Sequence, residues 1–453
     1  MNTFAKHYSE IPIFWNYLYP FLGNESGQLA EERLHTFLFS GEKEFRKGKN
    51  ALYLHIPFCE TICSFCPFIK STNYEPIIEE YIDCMIREME TVAASPALQG
   101  LEINTVFVGG GTPSVLPPKL IEKLCTAVKK NFKLAQDYEW TFECEAKTAT
   151  EERIAAMAEG GANRSSFGVQ TLNEKYRKMF NLTASRSEIE RTVENLKKYF
   201  TRFNADLLYQ LPGQTFQELL HDLKEMMALG TTSIDAYQLE YIVCSRGWLQ
   251  KINNGQIAKP PLPADKVRYT YAIYDHLRQN GWTQKYIYTF MAPGHADKRF
   301  IYGEVITGGY EDQLIGFGTG AYTYMQGMTW VNHGDTKQYI NRVKEGQLPV
   351  ARSRNYHAYE RKLIFFPKSF EISKAYMRSL PIEEEMWSKL EDLRKRGILM
   401  ETEEKYILTE DAKPWYPSIM LDLIPERERP YLKQVEAALQ KEANWYEPIM
   451  VEV

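Results

Sequence analysis

Two kinds of apolar pattern alternate along the chain. Short runs rich in β-branched and aromatic residues fall at 51–56 (ALYLHI), 103–108 (INTVFV), 139–144 (EWTFEC), 164–169 (RSSFGV), 203–209 (FNADLLY) and 232–239 (TSIDAYQL). Between them lie stretches with helical apolar spacing, at roughly 76–94, 117–131, 150–159, 186–200 and 215–228. The first pattern predicts strands and the second helices. Strand, helix, strand at this spacing predicts βαβ units and a parallel sheet. Right-handed crossovers wrap six such units into a curved sheet, too few to close the eightfold barrel. The expected fold class is α/β, a (β/α)6 partial TIM barrel.

The flanks read differently. Residues 1–50 are aromatic-rich and then amphipathic, which predicts a helical N-terminal extension. Residues 51–330 would hold the barrel and a segment that closes it, and 331–453 a separate C-terminal domain. In that last part MWSKLEDLRKRGILMETEEKYILTEDA predicts a helix, a turn and two short strands, a winged-helix-like α+β outline.

Composition narrows the function. The 453 residues are 44% hydrophobic and 25% charged, as in ordinary globular proteins. A net charge of −5 without a basic stripe argues against nucleic acid as a partner. The N-terminal residues lack the basic and apolar regions of a signal peptide. No run of about 18 apolar residues exists to span a membrane. A cytoplasmic location is expected, which also suits thiols that must stay reduced.

Those thiols are the sharpest signal. Cys59, Cys63 and Cys66 stand in ALYLHIPFCETICSFCPF with spacing C-x3-C-x2-C. With 7 cysteines in the chain, chance would give this spacing roughly 0.002 times. Zinc sites pair C-x2-C with a second such pair elsewhere, and none is seen. Three thiolates can hold three irons of a 4Fe–4S cluster, which four cysteines usually hold. One iron is then left open to the amino and carboxylate groups of S-adenosylmethionine. Cys84, Cys125, Cys144 and Cys244 sit in apolar-periodic contexts and are expected in the core.

Active sites of parallel α/β sheets lie at the C-terminal ends of the strands. Gly109-Gly110-Gly111-Thr112-Pro113 follows the second strand, and a glycine run lets backbone approach a ligand closely. Glu143 ends the third strand, Gln170 follows the fourth and Asp206 lies in the fifth. Each of these three, alone, is equally readable as a hydrogen-bonded strand residue.

Y-x-H-I-P-F-C-x3-C-x-F-C resembles the radical SAM enzymes of the HemN-like group, relatives of oxygen-independent coproporphyrinogen III oxidase. GGGTP, N-R-x-S-x-G-V-Q and D-L-x-x-x-L-P-G-Q extend the likeness, which spans roughly residues 50–425. The resemblance implies a 4Fe–4S cluster on Cys59, Cys63 and Cys66 and S-adenosylmethionine, in two molecules. It implies cofactor contacts from Tyr53, Phe65, Gly109, Gly110, Gly111, Thr112, Glu143, Gln170 and Asp206. His55 is either a further contact or structural. The segment LIGFGTGAYTY, 314–324, is similar to one that closes over the family's site. An electron donor such as flavodoxin or ferredoxin and a small-molecule substrate complete the implied partners.

Three departures limit the likeness. The N-terminal segment typical of coproporphyrinogen oxidases is absent, as is the family's Asn-Tyr-Trp before the closing segment. The family's L-G-R reads Phe180-Asn181-Leu182 here, so the arginine that clamps the cofactor carboxylate is missing; Arg186 and Arg164 are candidates to replace it. Three activities stay open: methyl or methylene transfer from a second S-adenosylmethionine to a haem-like or other unsaturated substrate, oxidative decarboxylation of coproporphyrinogen III, and haem chaperoning without turnover. The Cys-Pro-Phe ending of the cluster motif and the FGTGAYTY segment look most like the methyltransferases and anaerobic haem-degrading members.

Overall fold

Each of the six expected strands forms, with the five expected helices between them. A computed structural model describes residues 8, 19, 21, 27–40, 48–72, 74–241, 244, 246–308 and 311–443. Most of the expected N-terminal extension lies outside them; within it, α1 spans Gln28–Phe39. Then come β1 (Asn50–Ile56), α2 (Ile78–Ala93), β2 (Glu102–Gly110), α3 (Pro118–Asn131), β3 (Lys133–Cys144), α4 (Glu151–Glu159) and β4 (Arg164–Gln170). They continue as α5 (Glu174–Phe180), α6 (Arg186–Tyr199), β5 (Phe203–Tyr209), α7 (Phe216–Ala228) and β6 (Ser233–Gln238). Helices α6 and α7 begin at reciprocal capping boxes, Ser185 with Glu188 and Thr215 with Glu218. Such caps contribute about 1 kcal/mol each.

After α8 (Arg246–Asn253) and α9 (Pro263–Gln279), the antiparallel pair β7 (Thr283–Gln284) and β8 (Thr289–Met291) closes one edge beside β6. Helix α10 (Ile301–Ile306) leads to β9 (Gln313–Phe317), β10 (Tyr322–Met325) and β11 (Met328–Asn332). Then follow α11 (Thr336–Lys344) and β12 (Val350–Asn355). The sheet order is β12-β11-β10-β9-β1-β2-β3-β4-β5-β6-β8-β7. Strands β1–β6 are parallel, and β9 adds a seventh parallel strand on the far side of β1. The closing segment therefore belongs to the sheet itself, which runs past residue 330 to Asn355. Beyond it lies a second apolar core around β13 (Glu371–Ser373), β14 (Leu399–Glu401), β15 (Lys405–Leu408) and the helix Glu384–Lys395. Its strand order is β13-β15-β14.

Alternation within the strands decides where the site lies. Leu52, Leu54 and Ile56, Val106 and Val108, Trp140 and Phe142, Leu207 and Ile234 pack outward into one core with the helices. Most of the intervening positions, which face inward, are polar: Tyr53, His55, Thr141, Glu143, Arg164, Ser166, Asn204, Asp206, Ser233 and Asp235. Side chains two apart share a face, so this inversion of the usual packed barrel interior is a direct product of the sequence. These polar side chains line the chamber that the sheet encloses. No helix among the described residues is long and apolar enough to cross a membrane. The cysteines expected in the core, Cys84, Cys125, Cys144 and Cys244, are all buried.

Candidate active site

The cysteine loop leaves β1 and is held by the protein at several points. The Cys59 amide donates to Ser71 O at 3.0 Å, and the Cys66 amide to Cys63 O at 3.2 Å. The Thr112 hydroxyl donates to Cys59 Sγ at 3.4 Å. Cys59 is buried and the other two are half-buried. Burial, then the neighbouring thiols, pushes the Cys63 thiol up to about 12. Burial likewise raises Cys59. Metal binding requires the thiolates, so it would release these protons. Among the described residues no three His, Cys, Asp or Glu side chains converge on one ion. In a 4Fe–4S cluster the thiolates each take a separate iron.

The far side of this loop rests on the segment that replaces the family's L-G-R. Ser64 N donates to Phe180 O at 3.1 Å, and Asn181 Nδ2 donates to Ile62 O at 3.0 Å. Asn181 caps α5 in the left-handed conformation. The Phe65 ring meets Phe180 edge-on with centroids 5.3 Å apart. Leu182 packs into the same cluster. Phe65 thus faces α5, and the segment that lacks an arginine serves as a buttress for the cysteines.

Neither suggested replacement arginine stands at the strand ends. Arg186 is half exposed on the outer helices, paired with Glu190 at 2.6 Å and Glu225 at 2.9 Å. Arg164 opens β4, six residues before Gln170, which is about 20 Å along an extended strand. Its guanidinium donates to Thr141 Oγ1 at 3.3 Å and lies over the Phe300 ring. The charge on Arg164 is drawn to the buried acids above it, and it remains at the opposite mouth of the barrel.

The glycine run is set by protein neighbours as much as by a ligand. A Cβ on Gly109 would lie 2.7 Å from Glu143 Oε2, one on Gly110 2.6 Å from the His55 ring, and one on Gly111 2.7 Å from Phe58 O. Gly110 has φ +112, and its amide donates to Glu143 Oε2 at 3.1 Å. The Gly111 and Thr112 amides donate back to Ile56 O and Phe58 O. His55 is held by protein partners: its Nε2 bonds Ile69 O at 3.1 Å, which makes Nδ1 the acceptor for the Tyr53 hydroxyl at 3.1 Å. Burial lowers this imidazole to about 4, so it is neutral.

Glu143, Asp206 and Gln170 converge on the chamber. Burial pushes Glu143 up to about 7, against the pull of the Gly110 amide and Arg164. Asp206 accepts from Asn204 Nδ2 at 2.8 Å, and burial followed by Asp235 raises it well above the carboxylate range. Asp235 is the register partner of Asp206 on β6 and is itself raised by burial. It went unnoticed in the sequence, although SIDAYQ carries it at an inward position. Also missed was an aromatic wall: Tyr302 stacks on Phe107 with centroids 4.2 Å apart, and Tyr53 lies 6.3 Å from Phe107 and 6.4 Å from Tyr302. Tyr302 comes from the stretch that lacks the family's Asn-Tyr-Trp.

The arrangement can hold a cluster at the rim, a cationic and hydroxyl-rich ligand against the acids, and a flat group on the aromatic wall. The loop between β9 and β10 abuts the same rim: a Cβ on Gly318 would lie 2.7 Å from His55 O.

Comparison with known proteins gives a consistent picture. A model of the radical SAM superfamily matches residues 53–226. The anaerobilin synthase of Escherichia coli O157:H7 is 30% identical over 381 residues, covering 83% of this chain and 84% of that protein. The heme chaperone HemW of Lactococcus lactis subsp. lactis (strain IL1403) is 29% identical over 353 residues, covering 78% and 83%. In the solved structures, the coproporphyrinogen III oxidase HemN from Escherichia coli superposes with a TM-score of 0.74 at 21% identity, covering 93% of this chain and 97% of that one.

Proposed function

This chain belongs to the HemN-like branch of the radical SAM superfamily, and we propose that it transfers a methyl or methylene group from a second S-adenosylmethionine to a haem-like or other flat unsaturated substrate. When bound, the 4Fe–4S cluster of this superfamily supplies the electron that splits S-adenosylmethionine and generates a 5′-deoxyadenosyl radical. The chain's own residues bind, orient and exclude water. Cys59, Cys63 and Cys66 hold the cluster. Glu143, Gln170 and Asp206 hold the cofactor's amino-acid and ribose groups, with Gly109–Thr112 against its methionine end and Tyr53 beside it. The aromatic wall excludes water from the chamber. A small electron carrier such as flavodoxin or ferredoxin would deliver the electron at the cysteine loop. The part beyond Asn355 acts as a HemN-type C-terminal domain packed over the barrel.

The observation that supports this reading is the placing of the closing segment. β9 pairs with β1 directly beside Tyr53, through Tyr53↔Gly316 and Leu54↔Phe317, and its glycine turn reaches the cluster rim. A second ligand held by that turn would share the chamber with the first.

The test is anaerobic. The reconstituted protein is given dithionite and S-adenosylmethionine, with haem, with coproporphyrinogen III, or with neither, and nucleosides are quantified by mass spectrometry. 5′-Deoxyadenosine and S-adenosylhomocysteine should rise together, with deuterium passing from labelled methyl into 5′-deoxyadenosine. Deoxyadenosine alone, with coproporphyrinogen consumed, would mean decarboxylation. Haem binding by an intact cluster protein, with neither nucleoside formed, would mean the chaperone activity of the HemW relatives.

A further inference from the structure

Gln170 is built into a strained turn, and one buried arginine holds both of its neighbours. Its φ is +69, a conformation that side chains other than glycine rarely adopt. The Thr171 amide donates to Val169 O at 2.8 Å, two residues back, so Gln170 is the centre of a three-residue turn with positive φ. Such turns are rare and strained. The β4–β5 register slips at the same point, between Gly168 and Gln170. A Cβ on Gly168 would lie 2.7 Å from Gln170 Nε2, so the amide folds back over Gly168, whose register partner is Asp206.

Arg177, on α5, is buried, and its donors go to backbone carbonyls. Nη1 donates to Val169 O at 3.2 Å and to Thr171 O at 2.8 Å, the carbonyls on either side of Gln170. Nη2 donates to Ala184 O. Asp222 anchors the next step: Leu172 N donates to its Oδ1 at 2.6 Å, and the Thr171 hydroxyl donates to its Oδ2. A planar guanidinium is suited to gripping two carbonyls at a fixed spacing, which a lysine is not. Strained backbone persists only where its surroundings over-determine it, and such residues gather at ligand sites.

We infer that Arg177 is a positioning residue. It fixes the strained turn at Gln170 and thereby presents the Gln170 amide beside Asp206 to S-adenosylmethionine. This rests on the reading of Gln170 as a cofactor contact. It also accounts for an arginine near the strand ends in a chain whose Leu182 cannot clamp a carboxylate: Arg177 acts through Gln170.

The experiment uses the full-length reconstituted protein. Arg177→Lys should raise the KM for S-adenosylmethionine about tenfold, with kcat for 5′-deoxyadenosine changed less than about twofold. Hydrogen exchange of the Thr171 and Leu172 amides should quicken, while β2 and β5 stay protected. Gln170→Ala should give the same rise in KM, and the double variant no more than either alone. Gln170→Gly suits φ +69, and should hold or raise the melting temperature while losing affinity.

An unchanged KM in Arg177→Lys beside a raised KM in Gln170→Ala would overturn the inference and leave the Gln170 contact standing. An unchanged KM in Gln170→Ala would overturn both. If Arg177→Lys does not fold, Gln170→Gly decides: a lowered melting temperature would mean that no strain is held there, and the inference falls.

Discussion

The imidazole of His55 occupies the space that a side chain on Gly110 would need, with ring atoms 2.6 Å from an ideal Cβ. The two residues stand one step apart in the register of β1 and β2, where His55 pairs with Gly109 and Ile56 with Gly110. The glycine loop and the strand that launches the cysteine loop are therefore one interlocked unit. Gly110→Ala should destabilise the protein by about 2–5 kcal/mol, from positive φ and overpacking together. A melting curve of the variant, with and without its cluster, measures this.

The cluster assignment predicts an all-or-none result. Cys59→Ala removes one of three ligands, so the visible absorbance of the reconstituted cluster and all 5′-deoxyadenosine formation should vanish. A variant that cleaves S-adenosylmethionine at the normal rate would remove the basis of the proposed function.

Loop support should show separately from ligand loss. Phe65→Ala deletes the edge-on contact with Phe180, of a kind that contributes about 0.5–1.5 kcal/mol, while all three cysteines remain. The cluster should still assemble, and a chelator should strip its iron roughly threefold to tenfold faster. Equal stripping rates would show that Phe65 does not brace the loop.

Glu88 sets a pH dependence. On α2, it accepts from Gly318 N at 2.9 Å, Asn332 Nδ2 at 2.6 Å and the Tyr339 hydroxyl at 2.6 Å, tying the β9–β10 turn to the barrel. Burial raises it to about 7 against those donors. The folded state thus binds the proton more tightly than the unfolded chain, where the carboxyl titrates near its ordinary value. Stability from this group is full below about pH 4.5 and is lost as pH rises towards 7, by about 3 kcal/mol. Glu88→Gln should flatten that slope in urea midpoints measured between pH 5 and 8. An identical slope in both proteins would place the titration elsewhere.

The strands were legible because each carries a largely apolar outward face, and the cysteine spacing needs no tertiary context. Helix α5 was not, because seven residues, EKYRKMF, are too short to show a helical period. Asp235 and Tyr302 were invisible as site residues for another reason: only the alternation of a completed sheet and the return of α10 bring them to the chamber. Arg164 and Arg186 were weighed by residue type, and burial and ion pairing send them elsewhere. Arg177 lay inside a recognisable motif, but its role depends on the sign of one backbone angle, which composition does not reveal.

Strand β1 has two neighbours of very different age. β2 follows it closely in the chain, whereas β9 reaches it across a separation of 263 residues, where Lys49 N meets Asp312 and Asn50 meets Gln313. At about 5–20 residues per second of synthesis, that edge stays open for tens of seconds after the cysteines have left the ribosome. Closure of this side of the barrel must therefore wait for β9, long after the cysteine loop has been made.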